Sequence, residues 1–512
     1  MSKANRQTDP LLDELRHWGG PDEMSAFEAV MWLAEVDPRL RSTIVSIMVF
    51  DSTPDWARLQ AEFRWLVAAV RRFRQKVVVP ARIGNPTWVE DPDFDFDYHL
   101  RRQQLPAPGS ERQMFDAAAL IAMAPFDRAR PPWEATLLEG LDGGRAALVL
   151  KMHHAATDGL GIVQLLQRIF HKDREALPRP APAVPRARRA ASARSLGLKT
   201  LRSRLAALPS TAVGTAGALG RKASALLKYP EDVQQTLDYL ASARRMLGIK
   251  PVPGSGLFKR RSLSWRLDGI ELPLADFKAA SKAAEASIND LFLAGLIGGF
   301  RRYHERLGVS PRPMPIGFPI SLRTEADAMG GNKFAGSQYA APMAERDPIA
   351  RIRHIQQFVR DTRAEPALDV MIRMMPVVTR LPIGVVTKLT ADFTTAQDAQ
   401  ISNVPGIPHP VYFAGARVVQ YWPYAPVPGC GMMIAMLSHD GRCCIGINSD
   451  RAAVTEPELL LECFREGLDE VLALGRVATA PDRHHQPPPP AAPAGPKTRS
   501  KSRSQTTRAE SR

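Results

Sequence analysis

Apolar residues recur along this chain with two periods, and the period changes mark its elements. "MSAFEAVMWLAE" (Met24 to Glu35) carries apolar residues at helical spacing, and Ser25 and Glu28 stand at the distance of a capping box. "TIVSIMVF" (Thr43 to Phe50) is a β-type run. Trp56, Leu59, Phe63, Leu66, Val67, Val70 and Phe73 then form one long helical stripe. "AALVLKM" (Ala146 to Met152) predicts a strand, and "GIVQLLQRIF" (Gly161 to Phe170) a helix. A second region repeats the mixture. Ala275 to Glu285, Asn289 to Arg306, Ile349 to Arg363 and Glu456 to Leu474 predict helices, and Met314 to Leu322 predicts a strand. "VYFAGARVVQYW" and "GMMIAMLSHDGRCCIGINS" follow, with Asp440-Gly441 between two apolar runs as a hairpin signal. Two comparable α/β regions predict two domains with a cleft between them.

Composition changes the picture between and after these regions. Residues 176–230 hold 11 Lys and Arg and no Asp or Glu, and residues 481–512 carry a net +5. The whole chain is +15, so the remainder lies near −1. The basicity belongs to a linker and a tail rather than to a folded face. That argues against a nucleic-acid-binding fold, which carries its basic patch on a structured surface. The expected division is a flexible N-terminus over 1–21, a first α/β domain over 22–172, a basic linker over 173–250, a second α/β domain over 251–478 and a disordered tail over 479–512. Within the linker, Leu198, Leu201, Leu205 and Leu208 alternate with Lys199, Arg202 and Arg204. Such a stripe suits either an anionic membrane or droplet surface, through residues 176–230, or a connector helix docked on its own protein. No apolar run approaches the roughly 20 residues that cross a bilayer, and the N-terminus has no apolar signal core. The four cysteines form no C-x-x-C pair. A cytoplasmic protein with buried, reduced thiols is the expectation.

The chemistry concentrates in "HHAATDG" (His153 to Gly159), where two of only 11 histidines stand side by side at a strand-to-helix turn. The pair can be packing, a metal site or a base. Adjacent residues on a strand point to opposite faces, so one ion cannot readily take both rings, and no nearby Cys or Glu completes a ligand set. Chance produces the four-residue pattern about once in a thousand chains of this length. An imidazole can take a proton from an alcohol or thiol and return it to a leaving group. Asp158 can pair with a cation or cap the helix beginning near Leu160. Gly159 is expected to adopt a backbone conformation that a Cβ resists. No Ser or Cys sits in a G-x-S-x-G elbow, so the base would act on the acceptor directly, without a covalent acyl-enzyme.

"HHAATDG" resembles the H-H-x-x-x-D-G signature of the CoA-dependent acyltransferase superfamily, which includes chloramphenicol acetyltransferase and peptide-synthetase condensation domains. "MSAFEAVMWLAE", "PFDRARPPWEATLLEGL" (Pro125 to Leu141), Asn289-Asp290, "PISLRTE" with "GGNKFAG" (Pro319 to Gly336) and "ISNVPGIPHPVYFAGARV" (Ile401 to Val418) follow the order of bacterial wax ester synthase/diacylglycerol acyltransferases. The resemblance covers about residues 22 to 475. It implies an α/β (α+β, two-layer) fold of two chloramphenicol-acetyltransferase-like domains, with the active site in a cleft or tunnel between them.

For the residues, the resemblance makes His154 the general base and His153 a supporting, mainly architectural residue, with Asp158 orienting the turn. Arg323 becomes the candidate partner of Asp158, the alternatives being a surface arginine or a CoA-phosphate contact. Pro131, Trp133 and Glu134 match a PLW-type motif with Pro132 in place of leucine, and Trp133 is expected to pack near the acyl channel. Asn289 and Asp290 match a motif needed for activity, and Ser287 to Asp290 also reads as a helix N-cap. Ser402 and Asn403 line the cleft or donate to an oxyanion, or else belong to the turn that Pro405-Gly406 signals. Acyl-CoA is the implied co-substrate, diacylglycerol or a long-chain alcohol the implied acceptor, and no cofactor or metal is implied. Two other functions remain open: a non-catalytic lipid-binding or droplet-coating protein, and a transferase that takes acyl groups from a carrier protein to a diol or glycolipid. The hairpin "LSHDGRCCIGINSD" and residues 177–253 depart from the family pattern.

Overall fold

The computed structural model describes residues 10–80, 84–184, 192–198, 202, 242, 252–321, 334–366 and 370–479. The first half holds helices α1 (Pro10–Arg16), α2 (Ala26–Ala34), α3 (Trp56–Ala69), α4 (Phe96–His99), α5 (Glu111–Met123) and α6 (Gly159–Ile169). Its strands are β1 (Thr43–Phe50), a small hairpin of β2 (Gln75–Val78) and β3 (Thr87–Glu90), β4 (Leu100–Gln104), β5 (Trp133–Leu141) and β6 (Arg145–His153). The second half runs β7 (Trp265–Pro273), α7 (Leu274–Ala283), α8 (Ile288–Arg306), β8 (Met314–Ser321), β9 (Phe334–Ala341), α9 (Pro348–Arg363), α10 (Val370–Val378) and α11 (Ile383–Thr395). It closes with β10 (Ala399–Val404), β11 (Tyr412–Phe413), β12 (Ala416–Tyr424), β13 (Met432–His439), β14 (Arg442–Asp450) and α12 (Pro457–Thr479).

These strands form two six-stranded sheets, in the orders β11-β12-β1-β6-β5-β4 and β7-β14-β13-β10-β8-β9. The first sheet therefore takes β11 and β12 from the second half of the sequence. β12 lies antiparallel to β1, with Val45 opposite Tyr424. Sheet membership thus differs from the division expected at residue 251.

Burial explains the strand sequences. β1 is buried at all eight positions because both of its faces are covered. Ile44, Met48 and Phe50 join a core shared with α3 and α6, while Val45, Ile47 and Val49 face the other way. That opposite face meets α5 and also Leu267, Met433 and Cys444 of the second sheet. The outer face of the second sheet is covered by α7, α8, α9 and α12. The two sheets thus meet through a shared apolar layer. Cys443 and Cys444, adjacent on β14, point to opposite faces of the second sheet, Cys444 into this layer and Cys443 toward the covering helices. Both are buried free thiols, and burial pushes each up to about 12.

Three expectations need correction. The flexible N-terminus expected over 1–21 does not hold for residues 10–21, where Leu15 and Trp18 are buried and the Trp18 indole N–H donates to Gly161 O at 3.2 Å. The apolar stripe ending at Phe73 is not one helix. α3 stops at Ala69, and Phe73 reaches the core from a short 3₁₀ turn over Arg71–Arg74. The expected linker does not begin free at residue 173. Arg174 pairs with Asp51, Arg58 donates to the Arg174 and Ala176 carbonyls, and Arg179 covers Trp65. Further along, residues 193–198 are helical and Leu198 is exposed, whereas Leu201, Leu205, Leu208 and the tail from residue 480 lie outside the described residues.

Candidate active site

The histidine pair ends β6, a central strand of the first sheet. Along β6, Leu148, Leu150 and Met152 face the α3–α6 core, so Lys151 and His153 point to the opposite side. Both are fully buried. The Lys151 ammonium donates to Ala124 O at 2.8 Å and lies 3.6 Å from Glu134.

His153 has a close polar neighbour at each ring nitrogen. The Ala155 N–H donates to Nδ1 at 3.0 Å, which leaves the ring proton on Nε2. Nε2 lies 3.0 Å from a Glu35 carboxylate oxygen, and Trp32 presents an edge to the ring at 4.8 Å. Glu35 also accepts from the Ser42 N–H at 2.6 Å, and Arg128 lies 3.6 Å away. Burial works against ionisation of Glu35, but His153, the Ser42 N–H and Arg128 outweigh it and hold the carboxyl at about 2.

His154 sits one residue past this anchored ring and is partly exposed. Its N–H donates to Ser42 O at 2.7 Å. Ser42 thus receives Glu35 on its N–H and His154 on its carbonyl, so one peptide segment ties the buried carboxylate to the second histidine. Neither Glu35 nor Ser42 was singled out from sequence. The legible signal was local: Glu35 is the C-cap of α2, and a carboxylate there opposes the helix macrodipole.

Asp158 is the N-cap of α6, and its carboxylate accepts from the Gly161 N–H at 2.8 Å. Arg323, its expected partner, lies outside the described residues. Gly159 differs from expectation. Its φ is not in the left-handed region, and the demand for glycine comes from packing. A Cβ there would lie 3.2 Å from Val404 Cγ2, at the end of β10. The start of α6 therefore abuts a strand of the second sheet.

That contact draws "SNVPG" toward the motif. Ser402 is partly buried and Asn403 exposed on β10, which continues at Val404 against Gly159. Gly406 is a close approach in its own right, since a Cβ there would meet Ser438 O at 1.8 Å. Asn289 and Asp290 open α8. Ser287 and Asp290 form a reciprocal capping box, with Ser287 N–H to Asp290 at 2.9 Å and Asp290 N–H to Ser287 Oγ at 3.1 Å. α8 packs against α12, α9 and α7 on the outer face of the second sheet. β10 runs parallel to β8.

Trp133 is not a cleft residue. It is 1% exposed, donates from its indole to Phe73 O at 2.8 Å and stacks on His99 at 4.6 Å. Its pairing with Met152 puts its side chain in the α3–α6 core. A separate cavity of about 700 Å³ opens between β4 and α5, with Arg101, Arg102, Leu120 and Glu134 in its wall.

Comparison with known proteins identifies the family and the fold. The family model described as the wax ester synthase/diacylglycerol acyltransferase catalytic domain matches residues 23–292, and that of the corresponding C-terminal domain matches residues 330–471. A Mycobacterium tuberculosis protein named putative diacylglycerol O-acyltransferase is 39% identical over 460 residues, spanning 88% of this chain and 92% of that protein. A second protein of that name from the same organism is 28% identical over 461 residues, spanning 85% and 94%. Among solved structures, the wax ester synthase/diacylglycerol acyltransferase from Marinobacter aquaeolei superposes with a TM-score of 0.60 at 19% identity, over 89% of this chain and 100% of that one. The first condensation domain of the calcium-dependent antibiotic synthetase gives 0.57 at 15% identity, over 88% and 95%. These two structures share the fold.

Proposed function

Since the chain belongs to the wax ester synthase/diacylglycerol acyltransferase family and is an O-acyltransferase, we propose that it moves a fatty acyl group from acyl-CoA to the hydroxyl of diacylglycerol or a long-chain alcohol, with His154 as general base. His154 takes the hydroxyl proton as the oxygen attacks the thioester carbonyl carbon. The tetrahedral intermediate collapses, the carbon–sulfur bond breaks, and the proton passes from His154 to the departing sulfur. No acyl-enzyme forms. The products are triacylglycerol or wax ester, and free CoA.

One observation carries this reading: the two histidines have opposite environments. His153 is sealed, with both ring nitrogens facing Ala155 and Glu35. His154 is partly exposed, five residues before the point where α6 meets β10. His153, Glu35 and Ser42 are positioning residues in this scheme, and Asp158 fixes the turn as a helix cap. Asn289, Asp290, Ser402 and Asn403 are proposed to line the cleft. Arg323 is proposed as a second hold on Asp158.

The test supplies radiolabelled palmitoyl-CoA with hexadecanol, with diolein or with no acceptor. Wild type is expected to make ester with at least one acceptor, and His154→Ala to lose about 10²–10⁴-fold in rate. Ester formation at the wild-type rate by His154→Ala removes the imidazole from the mechanism. Lipid binding without turnover by wild type supports the droplet-coating alternative.

A further inference from the structure

Among the described residues large apolar side chains are rarely exposed, and nearly half of those that are lie in one short stretch. Of the 13 exposed large hydrophobics among the described residues, six lie between positions 374 and 389. Met374 and Val377 come from α10, Leu381 from the turn after it, and Ile383, Val385 and Leu389 from α11. Val377 is 60% exposed and Leu389 47%. The turn is apolar throughout its exposed stretch from Leu381 to Val385, which also holds Pro382 and Gly384. Scattered exposed hydrophobics need no explanation, but a contiguous patch at the tip of a helical hairpin does.

The hairpin has a buried side as well. Val386 and Thr394 of α11 are buried, and both helices pack on α2. α2 in turn brings Trp32 and Glu35 against His153. The hairpin thus packs on the helix that also meets His153.

The charges on the hairpin choose its partner. Residues 370–395 contain Arg373, Arg380 and Lys388 against Asp392 alone. Arg380 and Lys388 are both exposed beside the apolar tip; Lys388 pairs with Asp392 at 3.0 Å, which leaves Arg373 and Arg380 as the excess positive charge. Apolar tip plus basic rim is the chemistry of an interfacial anchor, with side chains among acyl tails and cations at headgroup level.

We propose that the α10–α11 hairpin docks this protein on an anionic phospholipid surface, and that this places the histidine turn beside the layer holding its lipid substrates. The choice of lipid as occupant rests on the acceptor proposed above, since diacylglycerol and long-chain alcohols reside in such layers.

The experiment uses the full chain and flotation with vesicles of phosphatidylcholine plus phosphatidylglycerol, without substrate. A combined Leu381→Ser, Ile383→Ser and Leu389→Ser variant is expected to lower the bound fraction by about tenfold. Its urea midpoint and its acylation of butanol should stay at wild-type values, because none of the three side chains is buried. Arg380→Glu with Lys388→Glu should weaken binding to these vesicles and not to phosphatidylcholine alone. Unchanged flotation of the triple variant overturns the proposal. So does loss of flotation on deleting residues 192–228 while the triple variant still floats, because the linker is then the anchor. A triple variant that turns a dimer into a monomer in sedimentation velocity and floats normally marks the tip as a contact between two copies, which also overturns it. Because flotation is read without substrate, failure to acylate diolein or hexadecanol counts against the proposed acceptors and not against docking.

Discussion

Glu35 offers a sharp test of how the turn is held. Its carboxyl, ordinarily near 4.5, sits at about 2 in the fold despite burial. At 1.36 kcal/mol per pH unit, the folded state favours the charged form by about 3 kcal/mol. A lowered value means that this stabilisation is complete above about pH 4.5 and is lost as pH falls toward 2. Between pH 7 and pH 4 it shrinks by about 0.8 kcal/mol. Glu35→Gln keeps the shape and an acceptor for the Ser42 N–H but removes the charge facing His153 and Arg128. We expect the variant to lose about 2 kcal/mol at pH 7 and the gap from wild type to narrow by pH 4. Urea denaturation at the two pH values, followed by tryptophan fluorescence, measures both. Because Ser42 links Glu35 to His154, kcat should fall several-fold with KM little changed. Equal midpoints at pH 7, or a gap independent of pH, would refute the reasoning.

Two further substitutions separate the roles of the turn residues. Asp158→Ala removes the cap of α6 and should cost about 1 kcal/mol, whereas Asp158→Asn keeps an acceptor for Gly161. Thermal unfolding should therefore spare the Asn variant, and a large rate loss in that variant despite its intact stability would point to the carboxylate charge and so to a cationic partner such as Arg323. Gly159→Ala should lower kcat by pressing on Val404, and adding Val404→Ala should restore most of it. If the second change brings no recovery in initial rate, the close contact is not what requires glycine there.

The periodic elements were the most legible part of the sequence. The helix at Met24 to Glu35, the strands around Thr43 and Ala146 and the Asp440-Gly441 hairpin all stand where apolar spacing put them. The cap role of Asp158 was legible too, because an acidic residue before an apolar helix has few other local uses. Sheet membership was not. "ARVVQYWPY" reads as a strand, but nothing local says that it pairs with β1 rather than with its sequence neighbours. The Glu35–Ser42–His154 connection escaped for a similar reason, since it depends on a helix end and two strand ends converging. Trp133 was expected to pack, but which core receives it depends on register, and pairing with Met152 turns the indole toward α3 and α6. The reason for Gly159 was likewise invisible, as Val404 is far off in sequence.

The insertion of β12 beside β1 governs how this chain can be made and cut. Val45 meets Tyr424, so the first sheet stays one neighbour short until most of the polypeptide has left the ribosome. A fragment ending before residue 411 leaves an open apolar edge at β1 and invites aggregation. Chimeras that exchange halves between relatives must carry residues 411–424 with the amino-terminal partner. The histidine turn is thereby assembled only on a nearly finished chain.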